Sequence, residues 1–355
     1  MMRGFHLADF GEAYTLAAQQ AGCDDADGEA LRLVQDEVRF DGRAMLVTGA
    51  GRGLGRSYAM LLASRGAKVV VADNGSAMDG ADGSTDPADA VVAEIRAAGG
   101  EAIACVEDIA SEAGATRAVE ACLDAFGRID GLLHNASTLP NLVSADQLSS
   151  EDLERVMKIN PFASIWLTRA AWPHMVARQY GRIVFTSSSG IYGNLGNALY
   201  ASAKSACFGL MRCFAVEGAK HGIIVNAVAP SVRSRMTERF PKSPFTDWFL
   251  ETMTPERAAV AGAWLMSEQC DHHGQMFVSG GGRIARITLA ETEGYMGEGA
   301  SIEEVRDAMP GILADSSYYF PRDFSERAAK MDKLYGIGAG IDANSDFAMA
   351  PIQKD

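Results

Sequence analysis

Tyr200 and Lys204 lie four positions apart in the segment YASAK. On a helix, positions i and i+4 share one face, so the Lys204 ammonium can approach the Tyr200 phenol. A free tyrosine has a pKa of about 10 and is a poor base at neutral pH, whereas a nearby cation favours the phenolate. The spacing therefore predicts a tyrosine that exchanges a proton with a substrate. The motif taken alone also fits an exposed helical pair.

A run of three serines, in TSSSG, precedes this pair. Ser187 lies thirteen residues before Tyr200, and its hydroxyl can hydrogen-bond a substrate oxygen and orient it. Ser188 and Ser189 follow directly, so the choice among the three depends on their spacing from the tyrosine. We predict Ser187 as the orienting residue.

Asn160 is a third candidate, because it precedes Pro161 within a helical stretch. A proline inside a helix removes one backbone donor, so a carbonyl one turn earlier loses its partner. The resulting kink can hold a water for a proton relay to Lys204. The alternative for Asn160 by itself is a simple helix irregularity.

A glycine-rich turn, TGAGRGLG, runs from Thr48 to Gly55. It follows an apolar run and opens a predicted helix, which is the context of a dinucleotide site rather than of an ordinary turn. The glycines let the backbone come close to a pyrophosphate over the helix N-terminus. We predict cofactor contacts from Gly49, Arg52, Gly53, Leu54 and Gly55.

Asp73 ends the next predicted strand. A carboxylate there can accept hydrogen bonds from ribose hydroxyls and would repel a 2′-phosphate, so it predicts NAD rather than NADP. Arg52 in the turn could favour NADP, but Asp73 lies where the ribose should be and is given more weight. Asp108 follows the third strand and either reaches the adenine edge or only ends a turn.

The elements that position these residues alternate between strand and helix. Such alternation predicts right-handed crossovers and an α/β fold with a doubly wound parallel sheet of the Rossmann type. Ligands of such sheets bind beyond the carboxyl ends of the strands, where these polar residues lie. Seven short apolar runs predict the strands: AMLVTG, KVVVAD, EAIACVED, DGLLHNA, GRIVFTSSS, IIVNAVAP and GQMFVSGGG.

Length and charge limit the organisation and the partners of the chain. Its 355 residues predict a single NAD-binding domain over 41–290, with an N-terminal extension over 1–40 and a C-terminal one over 291–355. The net charge of −14 argues against nucleic acid and anionic membranes as partners. Without a membrane-spanning run or a secretory signal in the sequence, we predict a cytoplasmic protein. Six cysteines without C-x-x-C spacing predict buried or inert thiols and no metal site.

Taken together, these motifs resemble the short-chain dehydrogenase/reductase superfamily over about residues 40–285. The resemblance implies hydride transfer between NAD and a secondary alcohol or ketone. It implies a catalytic tetrad of Asn160, Ser187, Tyr200 and Lys204. It also implies that Tyr200 and Lys204 contact the cofactor, together with Asp108, Ile109, Asn135, Ala136 and Pro230. The chain has Ser137 and Ser231 where the family usually has glycine.

Three segments are more narrowly similar to the dehydrogenase domains of type 2 peroxisomal multifunctional enzymes: SGIYGNLGNALY, SRMT and the Gly/Asp-rich loop after Asp73. This resemblance implies a small-molecule substrate that is an apolar secondary alcohol or acyl-CoA. The best expectation is a 3-hydroxyacyl-CoA, with a hydroxysteroid or another bulky alcohol as the alternative. A nucleotide-binding scaffold without turnover is the rival from another class.

Two further expectations concern the substrate lid and the assembly. The region 231–254 should form a lid, and its apolar residues either face a lipid-like substrate or make ordinary core and subunit contacts. The long helices around 151–178 and 199–221 resemble the subunit-contact helices of the family. The resemblance therefore implies a homodimer or homotetramer. The apolar lid residues are Met236, Phe240, Phe245, Trp248, Phe249 and Met253.

Overall fold

The computed structural model describes residues 37–76, 84–234, 237–239, 241–297 and 301–341. The described residues of Phe40–Asp355 belong to one compact unit. Almost all of the predicted N-terminal extension lies outside the described residues, as do Cys23, Met236, Phe240 and part of the loop after Asp73. The domain boundaries at 40 and 290 therefore stay predictions.

Eight strands of the described residues form one sheet in the order β3-β2-β1-β4-β5-β6-β7-β8. The order reverses between β1 and β4, as a doubly wound fold requires, which confirms the predicted fold class. The strands are β1 (Ala44–Thr48), β2 (Lys68–Ala72), β3 (Glu101–Cys105), β4 (Gly131–His134), β5 (Gly181–Thr186), β6 (Ile223–Pro230), β7 (Met276–Gly280) and β8 (Arg283–Ile287).

The sheet is parallel except at one edge, where an eighth strand that the sequence analysis did not identify is added. β8 follows β7 after a tight turn at Gly281 and Gly282 and pairs with it antiparallel, whereas the other pairs are parallel. Its sequence, RIARI, carries two arginines, and its residues are exposed or half-buried. An edge strand pairs on one side only and faces solvent, so it lacks the apolar run that marks the other strands.

Ten α-helices of the described residues connect or follow the strands, and none of them is long and apolar enough to cross a bilayer. They are α1 (Gly53–Ser64), α2 (Asp86–Ala97), α3 (Glu112–Phe126), α4 (Ser150–Met157), α5 (Ala163–Arg178), α6 (Ala198–Gly218), α7 (Pro244–Thr252), α8 (Pro255–Leu265), α9 (Ile302–Ala314) and α10 (Phe324–Leu334). A π-helical turn, Lys158–Phe162, joins α4 to α5.

The central strands of the sheet are completely buried. Every residue of β1, β4 and β5 is buried, as expected for central parallel strands covered on both faces. These strands run in register, with Thr48 beside His134 and His134 beside Phe185, so their carboxyl ends meet at one edge. This buried frame fixes the residues that follow each strand.

The region 231–254, which shows no clear period in sequence, contains helix α7. Its aromatic residues Phe245, Trp248 and Phe249 cluster, with ring centroids 5.7 Å apart for the first pair and 6.1 Å for Phe245 and Phe249. Phe245 and Phe249 line the cavity described below, whereas Trp248 is 48% exposed. The helix therefore lies where the predicted lid was expected.

Candidate active site

A cavity of about 1630 Å³ opens beyond the carboxyl ends of the strands. Small-ligand pockets are commonly about 300–1,000 Å³, so this one has room for a dinucleotide and a second molecule. Two of the predicted site residues, Gly55 and Asn160, are buried and are not among the residues that line the cavity. The other predicted site residues line it: Gly49, Arg52, Gly53, Leu54, Asp73, Asp108, Ile109, Asn135, Ala136, Ser187, Tyr200, Lys204 and Pro230.

The glycine turn packs closely against the end of β4. A Cβ added to Gly49 would lie 2.7 Å from Ala136 Cα, and one added to Gly55 would lie 1.9 Å from the Gly49 carbonyl oxygen. The Asn135 amide donates to the carbonyl oxygens of Thr48 and Gly49, at 3.2 Å each. Close backbone approach therefore requires glycine at these two positions, and Asn135 holds the turn in place.

The turn fits the pyrophosphate of a dinucleotide. Gly53 has φ +51°, and a Cβ added there would meet no atom within 4 Å, so the backbone faces open cavity. Arg52, the residue before α1, gives the helix no side-chain cap, which leaves the first N–H groups of α1 available to an anion. A small backbone surface with donors at a helix N-terminus suits a phosphate group.

Two carboxylates follow β2 and β3 along the same edge. Asp73 accepts the Gly51 and Gly75 N–H groups, at 2.8 Å each, and so anchors the turn as well as lining the cavity. Asp108 accepts the Ala110 N–H at 3.0 Å. Asp108 thus ends a turn and also lines the cavity, and its contact with the adenine stays a prediction.

Helix α6 carries Tyr200 and Lys204 on the face that meets β5. The Lys204 ammonium donates to the Thr186 carbonyl at 2.8 Å and lies 5.7 Å from the Tyr200 ring centre. Burial lowers the pKa of Lys204 to about 8. Burial also raises the pKa of Tyr200, and hydrogen bonding with Ser188 opposes that effect. We expected Lys204 to lower the pKa of the phenol; this arrangement instead favours the protonated phenol, because burial dominates.

Ser187 and Ser188, adjacent at the end of β5, have different hydrogen-bond partners, and the orienting role of Ser187 stays a prediction. Its hydroxyl donates to the Lys204 carbonyl at 2.8 Å, and the residue is 2% exposed. Ser188 has its hydroxyl within hydrogen-bonding reach of the Tyr200 phenol and accepts the Gly190 N–H at 3.0 Å. Both serines line the cavity, and Ser188 is the one whose hydrogen bonding acts on the Tyr200 phenol.

Asn160 lies in the π-helical turn, so the predicted break at Pro161 is confirmed. Its side-chain amide donates to the Val156 carbonyl at 2.8 Å, and its own carbonyl accepts the Ser164 hydroxyl at 2.8 Å. Its side-chain oxygen accepts the Ser137 hydroxyl at 2.9 Å. Asn160 is therefore held rigidly at 1% exposure, and its relay water stays a prediction.

His134, at the end of β4, is a residue that sequence reasoning missed. Its Nδ1 lies 2.8 Å from the Thr48 hydroxyl and its Nε2 lies 3.1 Å from the Ile159 carbonyl. Burial and the neighbouring Lys204 lower its pKa to about 3. The neutral ring, with its proton on Nε2, thus ties the end of β1 to the π-helical turn. Its position directly before Asn135 was the available signal.

The described cysteines are free thiols. Cys105, Cys122, Cys207 and Cys270 are buried, as expected, whereas Cys213 is exposed. Across the described ranges, no group of three or more His, Cys, Asp and Glu side chains is placed to hold a metal ion.

Comparison with known proteins adds a family to this geometry. A model of the short chain dehydrogenase family matches residues 43–243. The mouse peroxisomal multifunctional enzyme type 2 is 41% identical over 321 residues, which cover 88% of this chain and 43% of the mouse protein. The chain thus spans less than half the length of that relative.

Two solved structures are similar to this one. Full-length peroxisomal multifunctional enzyme type 2 from Drosophila melanogaster has a TM-score of 0.69 and 32% identity, covering 85% of this chain and 51% of the fly chain. A 7α-hydroxysteroid dehydrogenase complexed with NADH and 7-oxo glycochenodeoxycholic acid has a TM-score of 0.62 and 28% identity, covering 69% of this chain and 95% of its own. Both likenesses extend across most of the described fold.

Proposed function

This chain belongs to the short-chain dehydrogenase family, and from that premise we propose that it transfers a hydride between NAD and a secondary alcohol or ketone. One observation carries the proposal. Tyr200 and Ser188 face the same cavity as the glycine turn, so a proton-transferring phenol and a dinucleotide cradle share one space. A nicotinamide cofactor, when bound, supplies the hydride chemistry, and the chain supplies binding and proton transfer.

The cofactor would be held along the strand ends. The N–H groups at the start of α1 suit the pyrophosphate, and Asp73 suits the adenosine ribose. Asp73 supports NAD over NADP because its carboxylate would repel a 2′-phosphate, although the exposed Arg52 directly follows Gly51, whose N–H donates to Asp73. Asp108 and Ile109 line the cavity beyond Asp73 and suit the adenine.

The proton steps belong to residues of α6 and β5. Ser188 accepts the Gly190 N–H, so its own proton can be donated to the substrate oxygen and orient it. In oxidation the substrate hydroxyl proton moves to the Tyr200 oxygen, and in reduction the Tyr200 proton moves to the carbonyl oxygen. The Lys204 ammonium, 5.7 Å from the ring, offsets negative charge that develops on the phenol oxygen.

The substrate best supported is a 3-hydroxyacyl-CoA, on the narrower resemblance of the sequence. The apolar part of the cavity wall, which includes Leu139, Leu142, Phe245 and Phe249, suits an acyl chain. A hydroxysteroid is the second candidate, because the same wall suits a ring system. The structural neighbour bound to 7-oxo glycochenodeoxycholic acid favours this alternative.

A substrate screen tests the proposal. Purified protein is assayed with NAD and with NADP for reduced nicotinamide formation on (3R)- and (3S)-hydroxyacyl-CoA and on hydroxysteroids. We expect turnover with NAD, and a loss of about 10²-fold or more in kcat for Tyr200→Phe with dinucleotide binding kept. Binding without turnover on any substrate would favour the scaffold, and failure to bind either dinucleotide would contradict both.

Compartment and assembly stay predictions of the sequence. The cytoplasmic location is a prediction from the amino-acid sequence, whereas the names of the multifunctional relatives place those proteins in peroxisomes. The predicted homodimer or homotetramer comes from family resemblance. Fractionation of cells producing the full chain tests the first, and the mass of the purified protein in solution tests the second.

A further inference from the structure

The π-helical turn lacks one backbone donor, and a side chain replaces it. Pro161 has no N–H, and the hydrogen bond that another residue would make there runs five residues back, to the Val156 carbonyl. The Asn160 side-chain nitrogen donates to that buried carbonyl instead, at 2.8 Å. The nitrogen end of the Asn160 amide is therefore engaged, and its side-chain oxygen is left as an acceptor.

Two side chains from the end of β4 donate to this turn. His134 Nε2 donates to the Ile159 carbonyl at 3.1 Å. Three residues later, the Ser137 hydroxyl donates to the Asn160 side-chain oxygen at 2.9 Å. A carbonyl oxygen can only accept, so Nε2 carries the proton of the neutral ring, and Nδ1 accepts from the Thr48 hydroxyl at 2.8 Å. Both bonds to the turn therefore run from the end of β4 to two adjacent residues.

The stretch that carries these two donors also borders the cofactor side of the cavity. Asn135 and Ala136, which lie between them, line the cavity, and the Asn135 amide holds the glycine turn. The π-helical turn lines the cavity through Lys158 and Ile159, and it contacts α6, the helix that carries Tyr200. The two bonds thus join the cofactor side of the cavity to an element that packs on the helix of the phenol.

We propose that His134 and Ser137 are positioning residues, which fix the π-helical turn and thereby the distance between α6 and the nicotinamide end of the cofactor site. The inference rests on the proposed hydride transfer. Such a transfer needs the reacting atoms held in a fixed geometry, and a displacement of about 1 Å can cost about 10²-fold in rate. Because Pro161 leaves the turn short of a backbone donor, loss of either side-chain bond should let this wall of the cavity shift.

Two substitutions at position 134 separate the bond to the turn from the bond to Thr48. Glutamine places an amide nitrogen at about the reach of Nε2, so His134→Gln can still donate to the Ile159 carbonyl. Asparagine reaches only as far as Nδ1, so His134→Asn keeps a partner for the Thr48 hydroxyl and releases the turn. At position 137, Ser137→Ala removes the donor, and Ser137→Thr keeps the hydroxyl.

Hydrogen exchange of the full chain, followed by mass spectrometry, tests whether the two residues hold the turn. We expect His134→Asn and Ser137→Ala to raise exchange at residues 158–163 about 10-fold, the size of one lost hydrogen bond, with exchange in β3 unchanged. His134→Gln and Ser137→Thr should exchange like the wild type. Unchanged exchange in the turn, or an equal rise in β3 that reports global destabilisation, overturns the inference.

Steady-state kinetics tests whether holding the turn matters for the reaction. We expect His134→Asn and Ser137→Ala to lower kcat about 10-fold and to leave the dinucleotide Kd unchanged, because the glycine turn keeps its own contacts. His134→Gln should keep most of kcat although it loses the Thr48 contact and with it some unfolding free energy. If kcat instead follows the unfolding free energy in all four variants, the role is only structural and the inference is wrong.

Two controls complete the test. Ser64→Ala, at the far end of α1, should change neither the exchange of the turn nor kcat. Hydrogen exchange needs no turnover, so a protein that oxidises no alcohol contradicts the proposed function, while the exchange of residues 158–163 still decides whether His134 and Ser137 hold the turn.

Discussion

At the residue scale, two adjacent serines at the end of β5 have different hydrogen-bond partners and therefore different expected roles. Ser187 donates to the Lys204 carbonyl, whereas Ser188 acts by hydrogen bonding on the Tyr200 phenol, although both line the cavity. We expect Ser188→Ala to lower kcat by about 10²-fold, as loss of an orienting donor does elsewhere, with the unfolding free energy almost unchanged. Ser187→Ala should lower the unfolding free energy by about 1 kcal/mol and leave kcat within a few-fold.

The two variants serve as controls for each other. Steady-state kinetics gives kcat for each variant, and urea unfolding gives the unfolding free energy of each. If Ser187→Ala carries the kinetic loss and Ser188→Ala the stability loss, our assignment of the serines is reversed. If both variants lose kcat and unfolding free energy to the same extent, Ser187 and Ser188 do not have the different partners assigned to them.

The sequence located Tyr200, Lys204 and Asn160 correctly in the fold because each has a fixed helical spacing or an adjacent proline. It favoured Ser187 over Ser188 on spacing and family resemblance, whereas the different partners of the two serines depend on the path of the chain beyond the strand end. Likewise, Ser137 was visible only as a departure from glycine. Its bond to Asn160 joins positions 23 residues apart and depends on how the π-helical turn packs on β4.

At the element scale, the glycine turn joins β1 to α1 and packs against the residues that follow β4. A methyl group at Gly55 would lie 1.9 Å from the Gly49 carbonyl oxygen and 2.7 Å from the Asn135 amide nitrogen. Neither neighbour can yield without moving the turn. We therefore expect Gly55→Ala to abolish dinucleotide binding and to lower the unfolding free energy by about 2 kcal/mol or more.

Gly311, within α9, is the matched control. A Cβ there meets no atom within 4 Å. Replacing a helical glycine with alanine removes backbone entropy from the unfolded chain, so Gly311→Ala should stabilise the protein by about 0.5–1 kcal/mol. Calorimetric titration with dinucleotide and chemical denaturation check both variants. Full binding by Gly55→Ala would mean that the turn adapts to a side chain.

The strands and helices that the sequence predicted best are those with a continuous apolar run or a helical period. The sequence analysis did not identify β8 or α7, and the reason differs between the two elements. β8 is too polar to resemble a buried strand, and α7 is a short helix with an aromatic cluster, Phe245, Trp248 and Phe249, in a segment without regular spacing. β8 depends on its pairing with β7, whereas α7 begins at the Ser243 cap and Pro244, a local signal that an analysis of periodicity does not detect.

For the whole molecule, the neutral His134 links the stability of the fold to pH. Its pKa is about 3 in the folded protein and 6.5 ordinarily, so the unfolded chain binds more protons between these values. Stability from this residue is thus present above pH 6.5, falls as the pH drops toward 3, and changes no further below it. Between pH 6.5 and about pH 5 the loss should be about 2 kcal/mol.

His134→Asn isolates this effect, because asparagine keeps donors and acceptors without titrating. Urea unfolding of both proteins across this pH range supplies the difference in unfolding free energy. We expect that difference to shrink on acidification, since only the wild type loses the contribution of the histidine. Parallel pH dependence in the two proteins would place the acid sensitivity elsewhere in the chain.

Strand β5 and helix α6 hold each other through a reciprocal pair of contacts. The Ser187 side chain binds the Lys204 backbone, and the Lys204 side chain binds the Thr186 backbone. The phenol of α6 and the serine donor of β5 therefore cannot separate unless the centre of the sheet opens. Proton-transfer competence should consequently persist on heating until the sheet itself melts, with no inactive folded intermediate before it.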